Sequence, residues 1–260
     1  MSAGFYLDRE SFIGRLHPVT RILLLFLAFT TALVAQHPLA ILPLWAVYGS
    51  VGIAAGALPG LKRVGWVLFL VALSSFIIWT FAYGGADHLF QFGPLRATRQ
   101  GMIFGAGMGL RLTLMMFCGL VFLTATPVED FSYGLTRLGL PFAVSFALSL
   151  SFRLAPLFLD TMRDILDAQR ARGLRTGGGI VGRLRVYVPL LVPVFATALR
   201  RADQLALALE SKGFGLTNRR GSLREYRAGG KDALALILVS LLLLALIALR
   251  ILGYGAVTRW

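Results

Sequence analysis

Cysteine is almost missing from this chain: Cys118 is the only one, so no internal disulfide can form, and one thiol does not fix a redox compartment. Histidine is nearly as scarce. His17, His37 and His88 stand far apart, and no His-Glu-x-x-His pair exists, so a zinc centre has no local support. Acidic residues number 12 against 26 Lys and Arg, which leaves few carboxylates for acid–base or metal chemistry. A phosphate-binding P-loop is absent. Gly229-Gly230-Lys231-Asp232 lacks both the earlier glycine and the following Ser or Thr. A nucleophilic triad is equally unsupported, because Cys118 lies inside an apolar run and reads as packing. No cofactor is expected. If the chain is energised by ATP, a partner must hydrolyse it.

Apolar residues, in contrast, are abundant. They make up 57% of the 260 residues, and the mean hydropathy is +0.75. Soluble domains have about 45–50%. Several runs approach the ~20 residues that cross a ~30 Å hydrocarbon core. The reading is membrane spans at residues 22–35, 39–58, 64–83, 101–125 and 232–252. Gln36-His37-Pro38 breaks the first from the second, as a short outer turn. Pro59-Gly60 and the basic pair Lys62-Arg63 end the second, and Trp66 and Trp79 read as interfacial anchors of the third. Residues 84–99 read as an external loop. The first 20 residues read as a polar lead-in, with no convincing cleavable signal peptide.

Charge gives an orientation. The net charge of +14 could point to nucleic acid. In so apolar a chain it fits cytoplasmic loops better. Arg9, Arg15 and Arg21 precede the first span, Lys62 and Arg63 follow the second, and 16 cations lie between residues 126 and 231. The first outer turn has none, and the 84–99 loop has only Arg96 and Arg99. This places the N-terminus and residues 126–231 in the cytoplasm, and the C-terminus outside.

Two features mark the fourth span. Gly101, Gly105 and Gly109 recur every four residues and form a smooth face for close helix packing. Arg111 stands within the same run, where a cation should face protein or water. Backbone carbonyls, an acid elsewhere or another subunit are possible partners, and snorkelling to the interface is the alternative.

Residues 126–231 differ in kind, with twice as many cations as acids yet long apolar stretches. Pro127-Val128-Glu129-Asp130 reads as a helix start, and that helix ends at Gly139. Residues 142–172 read as one long helix kinked at Pro156, and 183–212 as a second, interrupted by Pro189 and Pro193. Gly177-Gly178-Gly179 joins them, and residues 216–230 form a linker. Each long helix closes on a small residue, a cation and a glycine: Ala171-Arg172-Gly173 and Ser211-Lys212-Gly213. Glycine past a helix end enters the left-handed region freely, and a last-turn cation suits the helix dipole. One such triplet is an ordinary cap. Two on successive helices read as a docking device.

In their order along the chain, these pieces resemble the transmembrane coupling (T) subunit of energy-coupling-factor transporters. Arg15-Leu16-His17-Pro18-Val19-Thr20-Arg21 is similar to the family's amphipathic leading segment, with His17 where an acid is usual and Arg21 for a lysine. Leu123-Thr124-Ala125-Thr126-Pro127, Glu129-Asp130, Leu140-Pro141, Arg153 and Pro156 follow at fitting spacing. Ala171-Arg172-Gly173 matches the first coupling motif in full, and Ser211-Lys212-Gly213 matches the second in type.

The resemblance implies an all-α integral membrane protein of the prokaryotic cytoplasmic membrane. About five transmembrane helices would accompany a cytoplasmic coupling domain of long amphipathic helices. Residues 1–125 would hold the first four spans, 126–231 the coupling helices, and 232–260 the last span. Implied partners are two ATP-binding-cassette ATPase subunits, one at each motif, a substrate-capture membrane subunit for a vitamin or transition-metal ion, and the lipid bilayer. A nucleic-acid partner is not implied. The competing readings are a self-contained secondary transporter with Arg111 in its path, or a membrane enzyme.

Overall fold

The computed structural model describes residues 13–35, 37–83, 88–92, 95–173, 180–215, 226 and 229–252. Expectations for the lead-in 1–12, Gln36, the Gly177-Gly178-Gly179 turn, most of the 216–230 linker and the residues after 252 lie outside the described residues.

A single helical turn, Ile13–Arg15, leads into α1, Pro18–Val34. It is followed by α2, Pro38–Ala54, α3, Leu58–Ala82, and α4, Arg99–Ala125. Next come α5, Val128–Arg137, α6, Phe142–Ala171, α7, Ile180–Ser211, and α8, Gly230–Ile251. The stretch expected as a plain loop contains a short antiparallel ribbon, β1 (His88–Phe92) and β2 (Leu95–Thr98). Two strands of five and four residues give too brief a pattern to separate from loop in sequence.

Local chemistry fixes the helix starts. α1 and α2 both begin His-Pro. His17 Nδ1 accepts the Val19 N–H at 3.2 Å, and His37 Nδ1 accepts that of Leu39 at 3.3 Å. Proline then fills a first-turn position whose N–H needs no helical acceptor. Thr98 Oγ1 caps α4 by accepting the Gly101 N–H at 3.0 Å.

The chain divides into two compact units, Met1–Leu140 with Tyr226–Trp260, and Pro141–Glu225. In the first, α1, α2 and α4 enclose Ala28, Ala32, Ile41, Leu44, Tyr48, Leu114 and Cys118. Tyr48 OH and Thr31 Oγ1 share a buried hydrogen bond of 2.9 Å. α4 runs against α3 with almost no space between backbones. A Cβ on Gly101, Gly105 or Gly109 would lie 2.6 Å from Thr80 O, 2.8 Å from Phe76 O or 2.9 Å from Ala72 O. The three glycines thus climb α3 one turn at a time, which only residues without a side chain permit.

The five stretches expected as spans fall on α1–α4 and α8. Among the described residues, four helices are long and apolar enough to cross a membrane: α3, α4, α8 and also α6, expected as a cytoplasmic coupling helix. α1 and α2 have 17 residues each, ~25 Å of helix, at the lower end of spanning length. Trp66, Phe69 and Ile78 on α3, and Leu234, Leu238, Leu241 and Leu244 on α8, point outward at more than half exposure. A face this apolar is stable against lipid and a liability in water. The chain is an all-α integral membrane protein with one small β ribbon.

Candidate functional site

The second unit is an antiparallel helix pair. Phe146 near the start of α6 meets Phe214 just past the end of α7, with ring centroids 4.7 Å apart. Leu154 and Leu157 of α6 line one cavity with Leu205 and Arg201 of α7. Numbers rise on one helix as they fall on the other. The two cation–glycine tips are therefore kept apart, not brought together. From the level of Phe146, Arg172 lies about 40 Å along α6 at 1.5 Å per residue.

Each tip ends its helix through glycine. Gly213 has φ +71°. Its N–H donates to Glu210 O at 2.8 Å, and the Phe214 N–H donates to Leu209 O at 2.9 Å. This pair of bonds is a Schellman cap. Gly173 has φ +92° and donates its N–H to Arg170 O at 3.0 Å. Ala171, Arg172, Ser211 and Lys212 are all exposed. Among the described residues, Arg172 and Lys212 make no ion pair, whereas nearby Arg170 is held by Asp167 at 3.1 Å. Gly139 closes α5 with the same bonds, but Leu138 precedes it. The cap itself thus needs no cation. Among the described residues, Arg172 and Lys212 are exposed cations that helix termination does not require.

Arg111 is occupied inside the protein. Its Nη2 donates to Leu33 O at 2.9 Å and Ala35 O at 2.7 Å, and its Nε donates to Ala35 O at 3.3 Å. These carbonyls belong to the last turn of α1, which leaves its final acceptors unpaired and carries the negative end of the helix dipole. Of the partners considered from sequence, backbone carbonyls are the ones in place.

A second polar centre escaped the sequence reading. The Arg21 side chain, 2% exposed, forms an ion pair at 3.0 Å with Asp130, itself 6% exposed. The guanidinium also donates to Leu16 O at 2.9 Å, Ala125 O at 3.3 Å and Gly14 O. The Tyr226 hydroxyl donates to the other Asp130 oxygen. Beside it, Asp232 accepts the backbone N–H groups of His17 at 2.7 Å and Gly229 at 2.8 Å. The His17 ring stands edge-on to Tyr133 and Tyr226, each centroid 6.1 Å away. This centre ties the starts of α1, α5 and α8 together. The available signal was chemical: an acid and a cation flanking apolar helices must each find a partner. Among the described residues, no three His, Cys, Asp or Glu side chains come close enough to hold a metal.

A family model described as CbiQ, cobalt transport protein, matches residues 9–223, which include Arg21, Arg111, Asp130 and both tips. The energy-coupling factor transporter transmembrane protein EcfT of Bacillus subtilis (strain 168) is 30% identical over 260 residues, covering 94% of this chain and 96% of that protein. The EcfT of Streptococcus equi subsp. equi is 31% identical over 274 residues, covering 95% of this chain and 96% of that protein. The EcfT of Thermanaerovibrio acidaminovorans is 34% identical over 200 residues, covering 73% of each chain.

Proposed function

This chain belongs to the CbiQ family, the transmembrane components of energy-coupling factor transporters, and from that membership we propose that it is the scaffold through which two ATPase subunits move a capture subunit. Each ATP-binding-cassette subunit docks on one tip, at Ala171-Arg172-Gly173 or Ser211-Lys212-Gly213. ATP binding and hydrolysis shift the ATPases, and α6 and α7 carry that shift. A separate membrane subunit, which binds a vitamin or transition-metal ion, is reoriented and releases its cargo inside. The chain itself contributes no catalytic group. In this reading α1–α4 and α8 are the spans, the N-terminus and the α6–α7 pair lie on the cytoplasmic side, and the C-terminus lies outside, as the distribution of Lys and Arg favours.

The observation that carries this reading is the pair of exposed cations, without an ion pair among the described residues, at the far ends of one antiparallel helix pair. Two tips about 40 Å apart along the helix pair are suited to two separate protein partners. Arg172 offers a planar fork for a partner carboxylate, and Lys212 a mobile point charge. Glycine after each lets a partner backbone approach closely.

The test is a count of ATPases in pull-downs of the detergent-solubilised complex. Arg172→Ala and Lys212→Ala each reduce ATPase association. Lys212→Arg is tolerated, because the charge remains. Arg172→Lys costs more, because the fork is lost. Full ATPase recovery with both alanine variants would refute the docking role. The secondary-transporter reading gains nothing from Arg111, whose donors are engaged on α1 carbonyls.

A further inference from the structure

Within the α6–α7 pair, Arg201 is anomalous. Its Nη1 is out of reach of solvent and has no hydrogen-bond acceptor among the described residues. The residue lines a cavity of about 230 Å³ between the two helices, together with Gln204, Leu154, Leu157 and Leu205. Arg201 and Gln204 are three residues apart on α7 and so share one face. Among the described residues no acid forms an ion pair with Arg201. Asp160 is bound to Arg163 at 2.9 Å, and Asp203, two residues from Arg201, lies on another side of the helix. Arg201 as a whole is partly exposed, but a charged N–H donor shielded from water without an acceptor is unfavourable.

The missing complement is an oxyanion, since a guanidinium binds carboxylate and phosphate oxygens through a fork, and Gln204 can add an amide N–H. The walls choose between the sources. Leu154, Leu157 and Leu205 offer a small free anion nothing, but they suit a molecule with an apolar chain attached to its charged head. The surroundings fit such an amphiphile. Phe152, Leu199 and Leu207 on the same helices are exposed, and residues 126–231 carry 16 cations against 8 acids, which attracts anionic lipid headgroups. We propose that the cavity between α6 and α7 binds the phosphate of an anionic phospholipid from the cytoplasmic leaflet, held by Arg201 and Gln204. The proposal rests on the reading that this helix pair lies at the cytoplasmic membrane surface.

The experiment uses the full chain with its co-purifying subunits in mild detergent. Native mass spectrometry counts retained phosphatidylglycerol and phosphatidylcholine after controlled delipidation and back-titration. Wild type retains phosphatidylglycerol in preference to phosphatidylcholine. Arg201→Gln weakens that retention about tenfold or more, Arg201→Lys less, and Gln204→Leu least. Arg201→Lys keeps the charge, so the series remains readable if Arg201→Gln fails to fold. An unchanged lipid preference in a folded Arg201 variant would overturn the proposal. Displacement of the lipid by millimolar inorganic phosphate would also overturn it, by making the ligand a free anion. Loss of a partner subunit from Arg201→Gln with phosphatidylglycerol still bound would overturn it in favour of a protein carboxylate. Substitutions at Arg172 and Lys212 leave the lipid count unchanged, so a failure of ATPase docking is distinguishable from a failure of lipid binding.

Discussion

The two compact units of this chain handle charge in opposite ways. In the unit formed by Met1–Leu140 and Tyr226–Trp260, Arg21, Asp130 and Asp232 are buried, and each has several partners. In the unit Pro141–Glu225, the ion pairs Asp160–Arg163 and Asp167–Arg170 lie on the surface, one helical turn apart. Apolar groups follow the same division. The first unit encloses a core around Ile41, Leu44 and Leu114. Among the described side chains of the second, only Ser145 and Leu190 are buried. The first unit therefore holds its structure through its own interior. The second shows no comparable interior among its described residues, and Phe152, Phe195 and Leu207 are left exposed on its helices.

Substitutions can break or sharpen this contrast. The largest effect belongs to the buried pair. Arg21→Met strands the Asp130 carboxylate and costs about 3–5 kcal/mol. It appears as a large fall in melting temperature and in monodisperse yield. Arg21→Met combined with Asp130→Leu is milder than Arg21→Met alone, because no uncompensated charge remains. A single variant as stable as wild type would show that the pair is not a structural tie.

Arg111→Ala comes next. It removes a charged donor, about 1.5–3 kcal/mol, and leaves the Leu33 and Ala35 carbonyls without that partner. Membrane insertion proceeds, while assembly or uptake falls. Uptake at the wild-type rate would show that the α1 carbonyls do not need Arg111.

Gly213→Val forces a β-branched residue to φ +71°, at about 1–2 kcal/mol. Its effect is local to the α7 tip: ATPase recovery falls, while the melting of the first unit is unchanged. A simultaneous loss of the first unit's melting transition would contradict the division. The smallest effect is expected of Asp160→Asn. An exposed pair of this kind is worth about 0–1 kcal/mol, so neither melting nor uptake changes measurably.

Helix positions were largely legible because their signals are local. Pro127 with Glu129 and Asp130 marks the start of α5, and Gly139, Gly173 and Gly213 mark helix ends within a residue or two. The four-residue glycine repeat of α4 is readable for the same reason. The tip residues stood out because cation and glycine adjoin in sequence. The Arg21–Asp130 tie was not legible, since its members are 109 residues apart and no local pattern pairs them. The same holds for Asp232 and the His17 N–H, 215 residues apart. His17 and His37 looked like isolated ring groups. Their capping role depends on backbone geometry that sequence spacing does not display.

The central claim is that the two helix tips are separate docking points for ATPase subunits. The most direct measurement is quantitative pull-down of those subunits by the detergent-solubilised Arg172→Ala, Lys212→Ala double variant, read beside ATP-driven uptake in cells. Each charge-assisted hydrogen bond contributes about 1.5–3 kcal/mol, so each single variant weakens docking about tenfold or more. The tips lie far enough apart for their losses to combine. The account predicts that the double variant inserts normally, recovers less ATPase than either single variant and loses uptake. Undiminished recovery and uptake in the double variant would contradict it and leave both motifs as plain helix caps.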